Sequence, residues 1–320
     1  MKAAVLDQLG NIPFYGDIAT PVPTSGEQVV LAVEAASIKQ LDKLKASGKH
    51  YSTFPSFPTA VGVDGVGRLS NGQRVYAMGL TGMIAEYALA NQDSCIPVPD
   101  TLSSELAAVL PNALLGSDAA LLYRADMQAG QVVLINGATG VSGRVAVQAA
   151  KLRGASRIIA TGRNPTSLAH LKTLGADVCI SLLEDESSIR AQLDQVQQET
   201  PIDHVLDYLW GKPTELLLQT FAGHCPQPVK IITIGQMASA SLDLPSSILR
   251  SKPISILGSG LGSINSEQLK NYNHSQLPAM FARAADGELK ADYDVYPLAE
   301  ITAAWQANPK PGARIVIKVT

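Results

Sequence analysis

From about Gly130 the chain alternates short apolar runs with amphipathic stretches, which is the pattern of a parallel sheet covered by helices on both faces. It predicts strands over 131–136, 157–160, 178–181, 204–206, 229–234 and 254–257. Between them it predicts helices over 142–153, 166–174, 187–198, 213–221 and 244–249, with Gly154 and Gly175 as C-terminal caps. The result is a six-stranded, doubly wound α/β unit in which the Ser-rich stretch 235–247 is a loop. The first third reads differently. Gly and Pro punctuate short β-branched or alternating runs, such as 28–33 and 73–78, as in an irregular strand-rich domain. Beyond Gly262 come one amphipathic helix over 276–285 and a last strand over 315–319, after Pro311-Gly312. A lone final strand needs neighbours, and the first third can supply them. We therefore expect a strand-rich domain from both termini, 1–115 and 258–320, with the α/β domain 116–257 inserted between.

Composition narrows the class. A length of 320 residues suits two domains, and 46% hydrophobic with 17% charged residues is an ordered, globular balance. The net charge of −3 comes without a dense Lys/Arg run, so nucleic acid is not an expected partner. Cys95, Cys179 and Cys225 are widely spaced and odd in number, which fits neither a disulfide framework nor a paired zinc-ligand spacing. A reducing cytoplasm is the expected compartment. The apolar stretch 3–6 ends at Asp7, too short for a signal-peptide core, and the reading finds no run of about 18 apolar residues. No membrane partner is expected.

The sharpest chemical signal is the apolar run ending in Asn136, followed by Gly137-Ala138-Thr139-Gly140-Val141-Ser142-Gly143. Strand, glycine turn and helix fall in the order that cradles a pyrophosphate: the glycines allow a tight turn, close approach and close helix packing, and helix N–H groups face the anion. At the end of the second strand an NAD-binding fold usually carries an acid for the ribose 2′-hydroxyl. Here the chain reads Gly162-Arg163-Asn164. A guanidinium without a neighbouring carboxylate suits a 2′-phosphate, so NADPH is the expected cofactor, the other reading of Arg163 being a solvated surface side chain.

With those residues in view, the whole chain resembles the medium-chain dehydrogenase/reductase superfamily, in the zinc-independent branch of quinone oxidoreductases and enoyl reductases. The likeness is carried by Ala35-Ala36-Ser37 leading to Asp42, by Ala46-Ser47-Gly48-Lys49-His50-Tyr51 and by Gly62-Val63-Asp64-Gly65-Val66-Gly67. Gly82-Met83-Ile84-Ala85-Glu86-Tyr87, the glycine turn and Leu174-Gly175-Ala176-Asp177 extend it. The resemblance implies a GroES-like β-rich substrate domain, a Rossmann nucleotide domain and an active site in the cleft between them. It also implies a homodimer joined through the edge of the nucleotide-domain sheet, near 254–257. Zinc enzymes of the superfamily carry a Cys three residues before the aspartate at Asp42 and a His-Glu pair after the glycine at Gly62. This chain has Lys39 and Val63-Asp64 there, and only Cys95 lies in the region of the four-cysteine lobe. No metal is expected, His224-Cys225 being too few ligands for a site.

Without a Lewis acid to activate an ordinary ketone, electron-poor acceptors become the expected substrates. The expected reaction is hydride transfer from NADPH to a quinone or an activated C=C. An enoyl-thioester or 2-alkenal reductase is one alternative, and a NADPH-binding sensor or structural protein without turnover is another. Tyr51 stands where relatives carry a cleft tyrosine, as a proton donor or as a packing residue. Lys39 either stabilises developing negative charge or pairs with Asp42, and Asp64 reads as a structural acid. The resemblance places Asn112 and Ser117 near the nicotinamide, Ser117 also reading as a helix cap. Gly235, Gly258 and Ser259 follow the fifth and sixth strands and suit close approach to the cofactor, or serve as loop hinges. His50, His170, His204 and His274 show no catalytic spacing.

Overall fold

The computed structural model describes residues 1–50, 52–260 and 262–320. Two units divide the chain, one from Met1–Pro111 with Lys270–Thr320 and one from Asn112–Leu269. The second unit thus begins four residues before the expected 116 and runs past 257, because the strand ending at Gly258 is followed by a further loop and helix before the chain leaves.

In chain order the first unit opens with β1 (Lys2–Leu6), β2 (Phe14–Asp17), β3 (Gln28–Ile38), α1 (Gln40–Ala46), β4 (Thr59–Ala60), β5 (Asp64–Arg68), β6 (Arg74–Met78), β7 (Tyr87–Asn91) and β8 (Ile96–Pro97). Helix α2 (Ser104–Leu115) carries the chain onward to α3 (Asp118–Ala120) and a π turn, Leu121–Ala125. The second unit continues with β9 (Val132–Asn136), α4 (Val141–Leu152), β10 (Arg157–Gly162), α5 (Pro165–Leu174), β11 (Val178–Ser181), α6 (Glu186–Glu199) and β12 (His204–Asp207). It ends with α7 (Lys212–Gly223), β13 (Val229–Thr233), α8 (Ser246–Ser251), β14 (Ile254–Gly258) and α9 (Ser266–Asn271). Back in the first unit lie α10 (Leu277–Ala285), β15 (Asp292–Pro297), α11 (Ile301–Gln306) and β16 (Ala313–Lys318).

Six parallel strands in the order β11-β10-β9-β12-β13-β14 form the second unit's sheet. The winding reverses between β9 and β12, where open α/β sheets bind ligands beyond the strand carboxyl ends. Buried on both faces, β9 reads Val-Val-Leu-Ile-Asn with no exposed position. Helix ends follow local chemistry. Pro165 begins α5, the Asn164 side chain accepts from Ser167 N at 2.8 Å, and Gly175 ends it at φ +118°. Asp118 and Arg153 form a two-point ion pair, 2.5 and 2.8 Å, that ties α3 to the end of α4.

The first unit carries a sheet ordered β15-β16-β3-β5-β6-β8, with β7 also paired to β3, and a smaller sheet ordered β2-β1-β4. The last strand pairs antiparallel with β3, Ile315 opposite Ile38. Both termini therefore build one sheet. Strand β15 was not expected. Its charged, half-exposed residues Asp-Tyr-Asp-Val-Tyr-Pro lack a clean alternation, and parallel pairing with β16 at the sheet edge supplies the order instead. Nor did the pattern mark the helical stretch Ser104–Ala125, which is long and apolar enough to cross a membrane by length and composition. As 67% of its apolar window is buried within the protein, it has the burial of a core helix.

His204 is buried at the start of β12, with Nε2 2.8 Å from Gln131 Oε1. Burial lowers its pKa below the ordinary value, against an opposing pull from Asp203. The folded state thus binds fewer protons than the unfolded chain, and this contribution to stability, present above about pH 6.5, is lost as pH falls below it. We expect His204→Gln to flatten the fall in urea midpoint between about pH 7 and about pH 5.5, measured as denaturation curves across that range.

Candidate functional site

Three glycines of the β9–α4 turn play different parts. Gly137 has φ +90°, and a Cβ there would lie 2.7 Å from the Leu209 side chain. A Cβ on Gly143 would run into the Ala138 backbone, so only glycine lets α4 pack this close. Around Gly140 an added Cβ meets nothing within 4 Å. Gly140 is also the N-cap residue of α4 and has no side chain to cap it, and the first N–H groups of a helix have no intrahelical acceptor. The loop is a cradle of the shape and polarity that a dinucleotide pyrophosphate requires.

The other candidate residues divide into those on this edge with open surfaces and those whose polar groups are engaged. Ala138 is buried, and its N–H donates to Thr161 O at 2.8 Å. Thr139, Val141 and Ser142 are half-buried along the turn, and Gly162 lies so close to Thr139 that a Cβ would collide with it. Arg163 is exposed, and its guanidinium makes no ion pair or hydrogen bond with another described residue. Asn164 is occupied as the α5 cap. Gly235 packs against β12, where a Cβ would lie 2.7 Å from Tyr208 O. Gly258 is exposed, and its carbonyl accepts from Arg124 Nε at 2.7 Å. Ser259 donates its N–H to Thr233 O at 2.8 Å, and its buried hydroxyl has no partner among the described residues.

Asn112 is half-buried on α2, where its carbonyl accepts from Gly116 N at 3.4 Å. Ser117 precedes α3 but does not cap it. Its hydroxyl turns back to donate to Ala113 O at 2.7 Å, while Tyr208 donates to Gly116 O at 2.8 Å. Burial pushes the Tyr208 phenol far up, keeping it a donor.

Residues that the motif reading missed lie beneath the loop. Asn136 and Asp207 end β9 and β12, Thr161 stands one residue before the end of β10 at the same level, and Thr214 joins them from α7. Asp207 accepts from Asn136 Nδ2 at 2.9 Å and from Thr214 Oγ1 at 2.7 Å, with no cation paired to it among the described residues. A signal was present in the sequence. The apolar runs of β9 and β12 each close on a polar residue, and β10 carries one next to its last position.

In the first unit Lys39, between β3 and α1, is 2% exposed. Its ammonium lies 2.6 Å from Asp64 Oδ1, 2.7 Å from Ser37 O, 3.3 Å from Ser37 Oγ and 3.4 Å from Asp42 Oδ2. Of the two readings of Lys39, the geometry is that of an ion pair, and its nearer partner is Asp64 rather than the expected Asp42. Asp42 instead accepts the N–H groups of Lys39, at 2.7 Å, and Val63, at 2.8 Å. Tyr76 donates to Asp64 Oδ2 at 3.0 Å, and burial followed by the Asp64 charge pushes its phenol well up. Burial lowers the Arg314 pKa, against a pull from Asp64 and Asp42. Tyr51 lies outside the described residues.

A doubly wound sheet opening on a glycine cradle, in a chain whose termini build a separate β-rich unit, defines the class of dinucleotide-dependent oxidoreductases. Residues 142–274 match the family model described as zinc-binding dehydrogenase. The chain is 28% identical to the probable NADPH-dependent quinone reductase of Emericella nidulans over 95% of its own length and 96% of that protein. It is 29% identical to the chloroplastic NADPH-dependent alkenal/one oxidoreductase of Arabidopsis thaliana, over 58% of this chain and 53% of that one. The quinone oxidoreductase of Thermus thermophilus, solved also in complex with NADPH, superposes with a TM-score of 0.79 at 26% identity over the whole of both chains. The chain belongs to the medium-chain dehydrogenase/reductase superfamily, in its quinone oxidoreductase-like branch, and is an oxidoreductase.

The word zinc in the family description does not fit this donor set. Zinc sites need thiolate, imidazole or carboxylate ligands converging on one point. Here a lysine ammonium fills the space between Asp42 and Asp64, and no group of three or more His, Cys, Asp or Glu able to hold a metal occurs among the described residues. Removing one partner of a buried ion pair leaves a desolvated charge. We therefore expect Lys39→Met to lower unfolding stability by about 3–5 kcal/mol, and Lys39→Met with Asp64→Asn to recover most of it, in urea denaturation at neutral pH.

Proposed function

We propose that the protein is a NADPH-dependent, zinc-free reductase that delivers hydride to a quinone or to the activated C=C of an α,β-unsaturated carbonyl. The observation that carries the cofactor choice is Arg163, an exposed guanidinium with no partner among the described residues, at the carboxyl end of β10. A 2′-phosphate would satisfy it through charge-assisted hydrogen bonds, and the adjacent residues Gly162 and Asn164 carry no carboxylate. The names of the Emericella, Arabidopsis and Thermus relatives support the same cofactor.

When bound, the reduced nicotinamide supplies the hydride. The protein's own residues bind and orient. Gly140 and the first turn of α4 take the pyrophosphate, Gly162 and Arg163 take the adenosine ribose, Gly235 lets the chain beyond β13 pass close to β12, and Gly258 leaves the backbone open beyond β14. Lys39 remains in its ion pair and offers no charge to a substrate oxygen, so the acceptor must already be electron-poor. Tyr51 is the proposed proton donor to the reduced product. An enoyl-thioester or 2-alkenal reductase is the second reading, its alkenal form favoured by the Arabidopsis relative's name. A cytoplasmic homodimer paired through β14, at the sheet end, with a small-molecule acceptor and neither nucleic acid nor membrane as partner, completes the proposal. A monomeric mass in light scattering would remove the dimer.

The test is NADPH oxidation by chelator-treated protein against quinones, enones and simple ketones. Turnover of quinones or enones, without ketones, is the expected result. Loss of all activity in chelator, restored by zinc, would overturn the metal-free reading. With the best acceptor, Arg163→Ala should raise KM for NADPH by about 10- to 100-fold, the scale of a charged hydrogen bond, and leave KM for NADH within about twofold.

A further inference from the structure

At the carboxyl edge of the second unit's sheet, a hydrogen-bond chain has its direction settled by one end. Asp207 Oδ1 accepts the backbone N–H of Leu209 at 3.0 Å and of Trp210 at 3.2 Å, groups that only donate. That oxygen is therefore an acceptor, and Asn136, 2.9 Å away, must turn its NH2 toward it. The Asn136 amide oxygen then faces Thr161, whose hydroxyl donates to it at 2.7 Å. With its hydrogen so engaged, Thr161 Oγ1 is left to accept the N–H of Gly137 at 3.1 Å. None of the three side chains is more than 1% exposed, so water does not compete for these bonds.

Gly137 is the first residue of the cradle, and its left-handed backbone is pressed against Leu209 from the turn that Asp207 holds. That turn is itself strained, with Trp210 at φ +58°. Were the Asn136 amide reversed, its NH2 would face Thr161, the hydroxyl would have to accept there, and its hydrogen would point at the Gly137 N–H. The opening peptide of the loop would lose its acceptor.

We propose that Asp207 is a positioning residue for the dinucleotide: acting through Asn136 and Thr161, it fixes the opening peptide of the phosphate loop and so sets how tightly the pyrophosphate is held. The inference rests on the proposed NADPH binding and adds to it a remote set of residues that touch no ligand. It is the acceptor at Oδ1 that matters. An asparagine at 207 keeps that acceptor and presents an NH2 to Thr214, which sits 2.7 Å from Oδ2.

Thr161→Val keeps the shape and removes both hydroxyl bonds. We expect it to raise Kd and KM for NADPH by about tenfold, on the order of 1.4 kcal/mol, with kcat changed by less than about twofold. Asp207→Ala should do the same, while Thr161→Ser and Asp207→Asn should restore KM to within about threefold of the natural protein. Amide hydrogen exchange on the ligand-free protein provides a readout independent of the cofactor, and Thr161→Val should speed exchange in 136–143 while leaving 204–207 protected. Unchanged NADPH affinity and unchanged exchange in Thr161→Val would overturn the inference, as would a parallel loss of kcat and melting temperature without a change in KM. If the natural protein fails to bind NADPH, the proposed cofactor falls. Exchange then decides whether the chain orders the loop: slow exchange retained in Thr161→Val overturns the inference, and faster exchange upholds the positioning of the loop by these residues.

Discussion

A carboxylate sealed in a protein must find donors or a cation, and in the nucleotide-binding unit that need organises the working edge of the sheet. Asp207 finds four donors, two of them backbone N–H groups of the turn that follows β12. Satisfying it bends that turn, places Leu209 over Gly137 and aligns Asn136 with Thr161. The cradle is thus held from beneath by side chains. Pre-ordered donors need no rearrangement to meet an anion.

The β-rich unit meets the same requirement differently. Asp42 and Asp64 face a lysine ammonium surrounded by four oxygens at 2.6 to 3.4 Å. Because the charge is tethered by a side chain, its position is set by β3 and α1. An ammonium has three hydrogens to donate and no vacant coordination position, so it cannot polarise a carbonyl as a metal does. That difference within a family described as zinc-binding is the physical basis of the proposed preference for acceptors already electron-poor.

Much of the nucleotide unit was legible. Parallel strands buried on both faces need continuous apolar runs, and those at 178–181 and 254–257 fall within a residue of the strands observed. Gly137, Gly140 and Gly143 were legible because each answers a separate steric demand. Strand β15 was not, since an edge strand with mixed exposure has no period to read. The helix from Ser104 was hidden for a different reason: Pro111, Asn112, Gly116 and Ser117 interrupt its apolar positions, yet packing buries most of it.

What the sequence by itself determined is therefore the local and the periodic: six strands, their helices, the glycine turn, a guanidinium where an acid is usual, and a lysine where a metal ligand would stand. Those follow from neighbours in the chain, whose spacing is visible in one dimension. Only the tertiary structure decided the partners. It paired Lys39 with Asp64 across 25 positions and Asn136 with Asp207 across 71, engaged Asn164 and Ser117 within their own helices and left Arg163 open. A buried polar group takes whichever donor or acceptor the packed sheet brings within about 3 Å, and that proximity is a property of the fold.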